Sequence, residues 1–176
     1  SIAAVIGIAA VETGLYLKQA EVHGMSQRGG AVESHLRISD KPVHSDLIPE
    51  GECDLILSVE PMEALRHLPF LTAEGWIVTN KNTFRNIKDY PVDEQIFTEI
   101  RKVKNHILLD AEKIAAEVGS RRVSNMVMLG AASIHLHLSA EKLMEAMDTL
   151  FRRKGEDVVR MNIAALQAGR DAVRPA

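Results

Sequence analysis

The sequence predicts a three-layer α/β domain with a helical C-terminal portion. Three observations predict it. Apolar, β-branched runs bounded by turn residues, CDLILSV at 53–59 and GWIVTN at 75–80, alternate with segments of helical period. These runs are continuous rather than alternating, as expected for strands covered on both faces of a mainly parallel sheet. From about residue 139 onward only helical patterns remain. At 176 residues the chain is long enough for one domain with a sizeable core and short for two. Residues 1–176 are therefore read as one Rossmann-like unit, helices on both faces of its sheet, with its helical part at about 139–176.

Each element follows from local chemistry. SIAAVIGIAAVETG opens as a short apolar helix, with Ser1 placed to cap it and Gly14 at its C-terminal end. No basic segment introduces it, which argues against a signal peptide. It reads as a first crossover helix, so a strand is expected before Ser1. YLKQAEV and AVESHLRIS are two strands with alternating apolar positions, joined by the glycine-rich loop HGMSQRGG. DKPVHSDLIPEGE is a polar connection. CDLILSV is a buried strand, and PMEALRHL a helix with Pro61 in its first turn. GWIVTN is a strand, followed by loop to Pro91. VDEQIFTEIRKV is helical, NHILLD is a strand, and AEKIAAEVG is a helix that Gly119 stops.

The remainder is helix. Ser124 to His137 carries small and apolar residues. LSAEKLMEAMDTLFRR is amphipathic and capped by Ser139. Its stripe of Leu143, Met144, Met147, Leu150 and Phe151 reads as core, with a subunit contact as the alternative, and Glu141, Lys142, Glu145 and Asp148 form a solvated face. Gly155 breaks that helix, and EDVVRMNIAALQAGRDA is the last.

Composition removes several classes of function. A net charge of −3 and 4% aromatic residues argue against a nucleic-acid module. The longest apolar run is broken by Glu12 and is too short to span a bilayer. One cysteine, Cys53, excludes an internal disulfide framework and a cysteine-ligated zinc or iron–sulfur site built from this chain alone. A reducing cytoplasm suits that usage. Within CDLILSV, Cys53 reads as a packing residue rather than a reactive thiol.

The candidate site is the loop HGMSQRGG. Ligands of open α/β sheets collect at the carboxyl ends of strands, and this loop leaves the carboxyl end of one. Gly29 and Gly30 permit positive φ and close backbone approach, so that successive N–H groups can form an anion-binding concavity. Arg28 adds a forked set of donors that matches phosphate or carboxylate, and Ser26 and Gln27 add neutral donors. The same residues also suit a hairpin turn with Arg28 in solvent, and residue chemistry alone leaves both readings open. His35 and Arg37 share a face of the following strand, where they either point toward a ligand or form a half-buried surface. His135 and His137 fall on different faces of a helix with no third ligand at suitable spacing, which argues against a metal. No Gly-x-Ser-x-Gly elbow and no complete Gly-x-Gly-x-x-Gly fingerprint is present, which argues against a serine hydrolase and a free-standing dinucleotide dehydrogenase.

The ordered stretch EVHGMSQRGGAVESHLRISDKPVHSDLIPEGECDLILSVEPMEALR, with GWIVTN and the terminal NIAALQAG, resembles the gamma-type chains of the 2-oxoacid:ferredoxin (pyruvate ferredoxin/flavodoxin) oxidoreductase family. The resemblance covers most of the chain and lies nearest the indolepyruvate branch. It implies a subunit rather than a self-sufficient enzyme, in an assembly that decarboxylates a 2-oxoacid, transfers the acyl group to coenzyme A and passes electrons to ferredoxin. Thiamine diphosphate and iron–sulfur clusters are then expected on a large alpha-type partner, and no catalytic residue is expected here. The resemblance favours the anion-cradle reading, with Ser26, Gln27, Arg28, Gly29 and Gly30 helping to hold coenzyme A; His35 and Arg37 join them as candidates from their shared strand face. It also implies a first strand and a Gly-x-Gly-Gly-Gln-Gly-like loop ahead of the helix that begins at Ser1, neither of which is among residues 1–176. A nucleotide- or acyl-CoA-binding scaffold without catalysis is the alternative, and the isolated chain could also self-associate.

Overall fold

The computed structural model describes residues 2–23, 32–85 and 87–174. Helix α1 (Ile2–Glu12) leads into strands β1 (Tyr16–His23) and β2 (Val32–Ser39). β3 (Cys53–Ser58), α2 (Pro61–Arg66), β4 (Leu71–Asn80), α3 (Asp93–Arg101), β5 (His106–Leu109) and α4 (Ala111–Val118) follow. The chain closes with α5 (Ser124–Ala132), α6 (Ala140–Phe151) and α7 (Glu156–Val173). No helix among the described residues is long and apolar enough to cross a membrane.

β3, β4 and β5 form a parallel sheet in that order. Successive side chains of a strand point to opposite faces, and both faces here are apolar and covered. Leu55, Leu57 and Val78 join the larger core, which contains α5, whereas Ile56 and Ile77 join a smaller one with Ala64 of α2 and Val103 after α3. This is the three-layer arrangement that the continuous apolar runs predict. β1 and β2 stand apart as an antiparallel hairpin, in register from Tyr16 opposite Ser39 to His23 opposite Val32. Leu36 and Ile38 on one of its faces pack on the larger core. On the same face Leu17 lies against α1, its Cδ2 3.2 Å from where a Cβ on Gly7 would stand.

Two boundaries differ from the sequence expectation by four residues or more. β4 begins at Leu71, four residues before the run GWIVTN, because it bulges against β3: Cys53 lies opposite Leu71 but Leu55 lies opposite Trp76. A Cβ at Gly75 would come within 2.9 Å of the Cys53 carbonyl, so the bulge needs glycine there. The helix expected to reach His137 ends at Ala132 and gives way to a 3-10 turn over Ser133–His135, with His137 at φ 52°. The turn lets Leu138 re-enter the core at 6% exposure and sets Ser139 to cap α6, its Oγ accepting the Lys142 N–H at 3.2 Å.

α5 is buried on every side from Met126 to Ala132, as a helix with no polar face must be. It crosses α7 in backbone contact at Gly130 and Gly169. Cys53 is 9% exposed with its Sγ 3.2 Å from the Leu55 carbonyl oxygen, and burial pushes the thiol up, away from thiolate chemistry.

Candidate ligand-binding site

Residues 24–31 join β1 to β2, so Ser26, Gln27, Arg28, Gly29 and Gly30 lie outside the described residues. What the structure places is the ground beside them. His35 and Arg37 do share a face of β2, and Glu33 joins them there by the same two-residue period.

Arg37 and His35 hold down the polar connection of residues 40–52. The Arg37 guanidinium donates from Nη1 to the Ser45 carbonyl at 3.2 Å and to the Leu47 carbonyl at 3.3 Å. The Ile48 N–H donates to His35 Nδ1 at 3.0 Å. Lys18, opposite Arg37 on β1, pairs with Asp46 of the same connection at 3.4 Å.

Glu33 bridges two histidines. Its Oε1 lies 3.2 Å from His35 Nε2 and its Oε2 lies 2.6 Å from Nε2 of His67, the residue that ends α2. His67 Nδ1 donates to the Glu63 carbonyl at 2.8 Å. Phe70 stands against both rings, its centroid 5.8 Å from that of His35 and 6.1 Å from that of His67. Sequence reasoning missed Glu33 and His67. The period of VESHLR could have added Glu33 to the face of His35 and Arg37, but nothing local ties it to a residue 34 positions away.

The carboxyl ends of the parallel strands form a second polar rim. Ser58 Oγ donates to the Glu60 carbonyl at 2.5 Å. The Glu60 carboxylate caps α2 by accepting the Glu63 N–H at 2.9 Å and also accepts the Tyr90 phenol. Burial, then the Glu60 carboxylate beside it, pushes the Tyr90 phenol up, so it remains a proton donor. Asn80 Oδ1 accepts the first N–H of α4, from Ala111, at 3.0 Å, and Asp110 Oδ1 accepts that of Lys113 at 2.9 Å. Beyond them Asn82, Asp110, Lys113, Glu117 and Arg121 line an open cleft of about 480 Å³.

These groups can bind and orient a polar ligand, but they assemble no nucleophile with an attendant base. Among the described residues no cluster of three histidine, cysteine or carboxylate side chains could hold a metal ion. His135 stacks on Trp76, 4.0 Å between centroids and 24° from parallel.

A doubly covered parallel sheet, a separate hairpin and polar rims define a domain of α/β type. The chain belongs to the pyruvate ferredoxin/flavodoxin oxidoreductase family, which it matches over residues 1–172. It is 35% identical over 175 residues to indolepyruvate oxidoreductase subunit IorB of Methanothermobacter thermautotrophicus, covering 94% of this chain and 86% of that one. To the subunit of the same name from Archaeoglobus fulgidus it is 34% identical, covering 94% and 84%. Its fold is that of part of a 2-oxoglutarate:ferredoxin oxidoreductase from Magnetococcus marinus, solved with 2-oxoglutarate, coenzyme A and succinyl-CoA bound. The TM-score is 0.72 at 20% identity, and the match covers 99% of this chain but only 29% of that longer one.

Proposed function

We propose that the chain is the small subunit of a 2-oxoacid:ferredoxin oxidoreductase acting on an arylpyruvate of the indolepyruvate kind, and that it forms part of the coenzyme A site. The observation that carries this reading is the near-complete coverage of a subunit about one-third identical, 86% of the length of the Methanothermobacter protein. In this reading residues 1–176 act as one domain beside a large alpha-type subunit that carries thiamine diphosphate and iron–sulfur clusters and hands electrons to ferredoxin. The single cysteine suits both that division of labour and a reducing cytoplasm.

Coenzyme A supplies the thiol that takes up the acyl group, and its phosphates need fixed cations and donors. The sequence from Ser26 to Gly30 supplies a basic side chain and two glycines, the composition of a backbone anion cradle. Arg37 stands on β2 opposite Lys18, five ladder steps from the last pair, His23 with Val32. It is half-buried and, among the described residues, makes its hydrogen bonds to carbonyls rather than to a carboxylate. Its positive charge is therefore left for an anionic ligand, which fits a phosphate. His35 orients the neighbouring connection by accepting the Ile48 N–H.

Arg28→Ala tests the cradle directly. A charge-assisted hydrogen bond contributes about 1.5–3 kcal/mol, so the apparent KM for coenzyme A in the assembled enzyme is expected to rise by roughly 10- to 100-fold. The KM for the 2-oxoacid is expected to stay within about twofold, as for a group that touches only the other substrate. An unchanged coenzyme A KM removes Arg28 from the site.

A further inference from the structure

We propose that Glu33 and His67 form a positioning clasp that fastens the β1–β2 hairpin to α2, and that the imidazolium form of His67 holds it tighter than the neutral ring. The effect on coenzyme A affinity rests on the reading of the hairpin loop given above. The clasp itself rests only on the geometry of β2, α2 and the turn carrying Phe70.

The two faces of the hairpin are attached differently. Leu36 and Ile38 pack on the core, and Leu17 on α1, through apolar contact that no titration disturbs. The opposite face meets α2 through the Glu33 carboxylate. Glu33 pairs across the ladder with Val22, one step inside the last pair, His23 with Val32. The contact therefore grips the root of the segment that joins the two strands.

The two histidines on that carboxylate do different work. His35 accepts the Ile48 N–H at Nδ1, so a neutral ring carries its hydrogen on Nε2 and donates it to Glu33. His67 faces an acceptor at each nitrogen, the Glu63 carbonyl at 2.8 Å and Glu33 at 2.6 Å. Only the imidazolium carries both hydrogens. A neutral ring keeps only one of the two bonds. With its hydrogen on Nε2 it still donates to Glu33 but leaves the Glu63 carbonyl unpaired. With it on Nδ1 a lone pair faces the carboxylate, and either way the charge-assisted hold weakens. The tautomer of His35 also argues against a two-histidine, one-carboxylate metal site, because it presents an N–H rather than a lone pair.

Burial pushes His67 down, but its bonds to the Glu63 carbonyl and the Glu33 carboxylate outweigh this and leave it raised. The His67 hydrogen bond holds Glu33 below the carboxylate range, with burial opposing. The charges facing His67 are Glu33 from β2 and Glu63 from α2. Arg66 is paired with Glu63 at 3.4 Å, Asp46 of the connection is paired with Lys18, and Phe70 closes the remaining side. A raised histidine contributes its full stabilisation below its ordinary value of 6.5 and loses it as pH rises through the folded value. A lowered carboxylate contributes above its ordinary value of 4.5 and loses it as pH falls through the folded value. The clasp is therefore tightest between pH 4.5 and 6.5 and loosens as pH rises through the folded value of His67.

The test has two arms. In the full chain, the ring protons of His67 are followed by NMR against pH. The midpoint is expected above 6.5 and is expected to fall in Glu33→Gln, which keeps the shape but not the charge. A midpoint that Glu33→Gln leaves in place overturns the clasp. In the enzyme assembled with its large subunit, the apparent KM for coenzyme A is expected to rise roughly fivefold more between acid and alkaline pH in the wild type than in His67→Gln. The amide of that variant can donate to Glu33 at every pH, so kcat should be alike in the two. Equal pH profiles overturn the positioning role. If Arg28→Ala leaves coenzyme A affinity unchanged, the loop reading fails, and the NMR midpoint still decides the clasp.

Discussion

Gly130→Ala is expected to lower the melting temperature of the chain by about 10 °C. A Cβ on Gly130 would stand 2.0 Å from the Leu166 carbonyl oxygen and 3.1 Å from the Arg170 nitrogen, both on α7. A Cβ on Gly169 would stand 2.0 Å from the Val127 carbonyl oxygen on α5. The obstacle is backbone in both cases, so no rotamer can relieve it, and the helices must move apart in a core where Val127, Leu129, Ala165 and Leu166 are fully buried. Overpacking that shifts backbone costs about 3 kcal/mol. Each kcal/mol moves the midpoint of a domain this size by roughly 2–4 °C. Because the two glycines share one crossing, the double variant Gly130→Ala/Gly169→Ala should cost less than the sum of the singles. Thermal unfolding followed by circular dichroism measures all three.

Leu143→Ala should destabilise the isolated chain by about 3 kcal/mol, the usual cost of a cavity left by a fully buried leucine. Leu143 is 0% exposed, on the same buried face of α6 as Met147 and Phe151. The amphipathic pattern of this helix allows a core face or a subunit contact, and burial within the chain decides for Leu143 and Met147. Met144 and Leu150 at the margins are only partly buried. Urea unfolding of the chain alone tests this: a loss confined to the complex would mean that the stripe faces another subunit.

Much of the fold was legible because the signals are local. The Ser139 cap, Pro61 at the start of α2, Gly119 at φ 129° and Gly155 at φ 102° mark the ends of helices where their chemistry demands. Continuous apolar strands gave the doubly covered sheet. What was not legible depends on partners distant in sequence. The alternation in YLKQAEV and AVESHLRIS fits an antiparallel hairpin as well as a place in the sheet. The bulge at Gly75 arises from the mismatch between β3 and β4. The pairing of Glu33 with His67 has no trace in either local pattern. For the site, sequence chemistry singled out the loop Ser26 to Gly30, which lies outside the described residues, and named His35 and Arg37 on one face of β2 as further candidates. The structure shows His35 and Arg37 bonded there to the 40–52 connection, with Glu33 and His67 completing the cluster.

This chain acts as the small subunit of an oxidoreductase of this family. Viologen reduction without oxygen, measured on the full-length chain alone and co-expressed with a large subunit of this family, tests it most directly. Thiamine diphosphate, coenzyme A and a panel of 2-oxoacids that includes indolepyruvate complete the assay. The account predicts no turnover by the chain alone and coenzyme A-dependent turnover by the pair, greatest with an arylpyruvate. A folded chain that never associates with the large subunit and adds nothing to its turnover would contradict it.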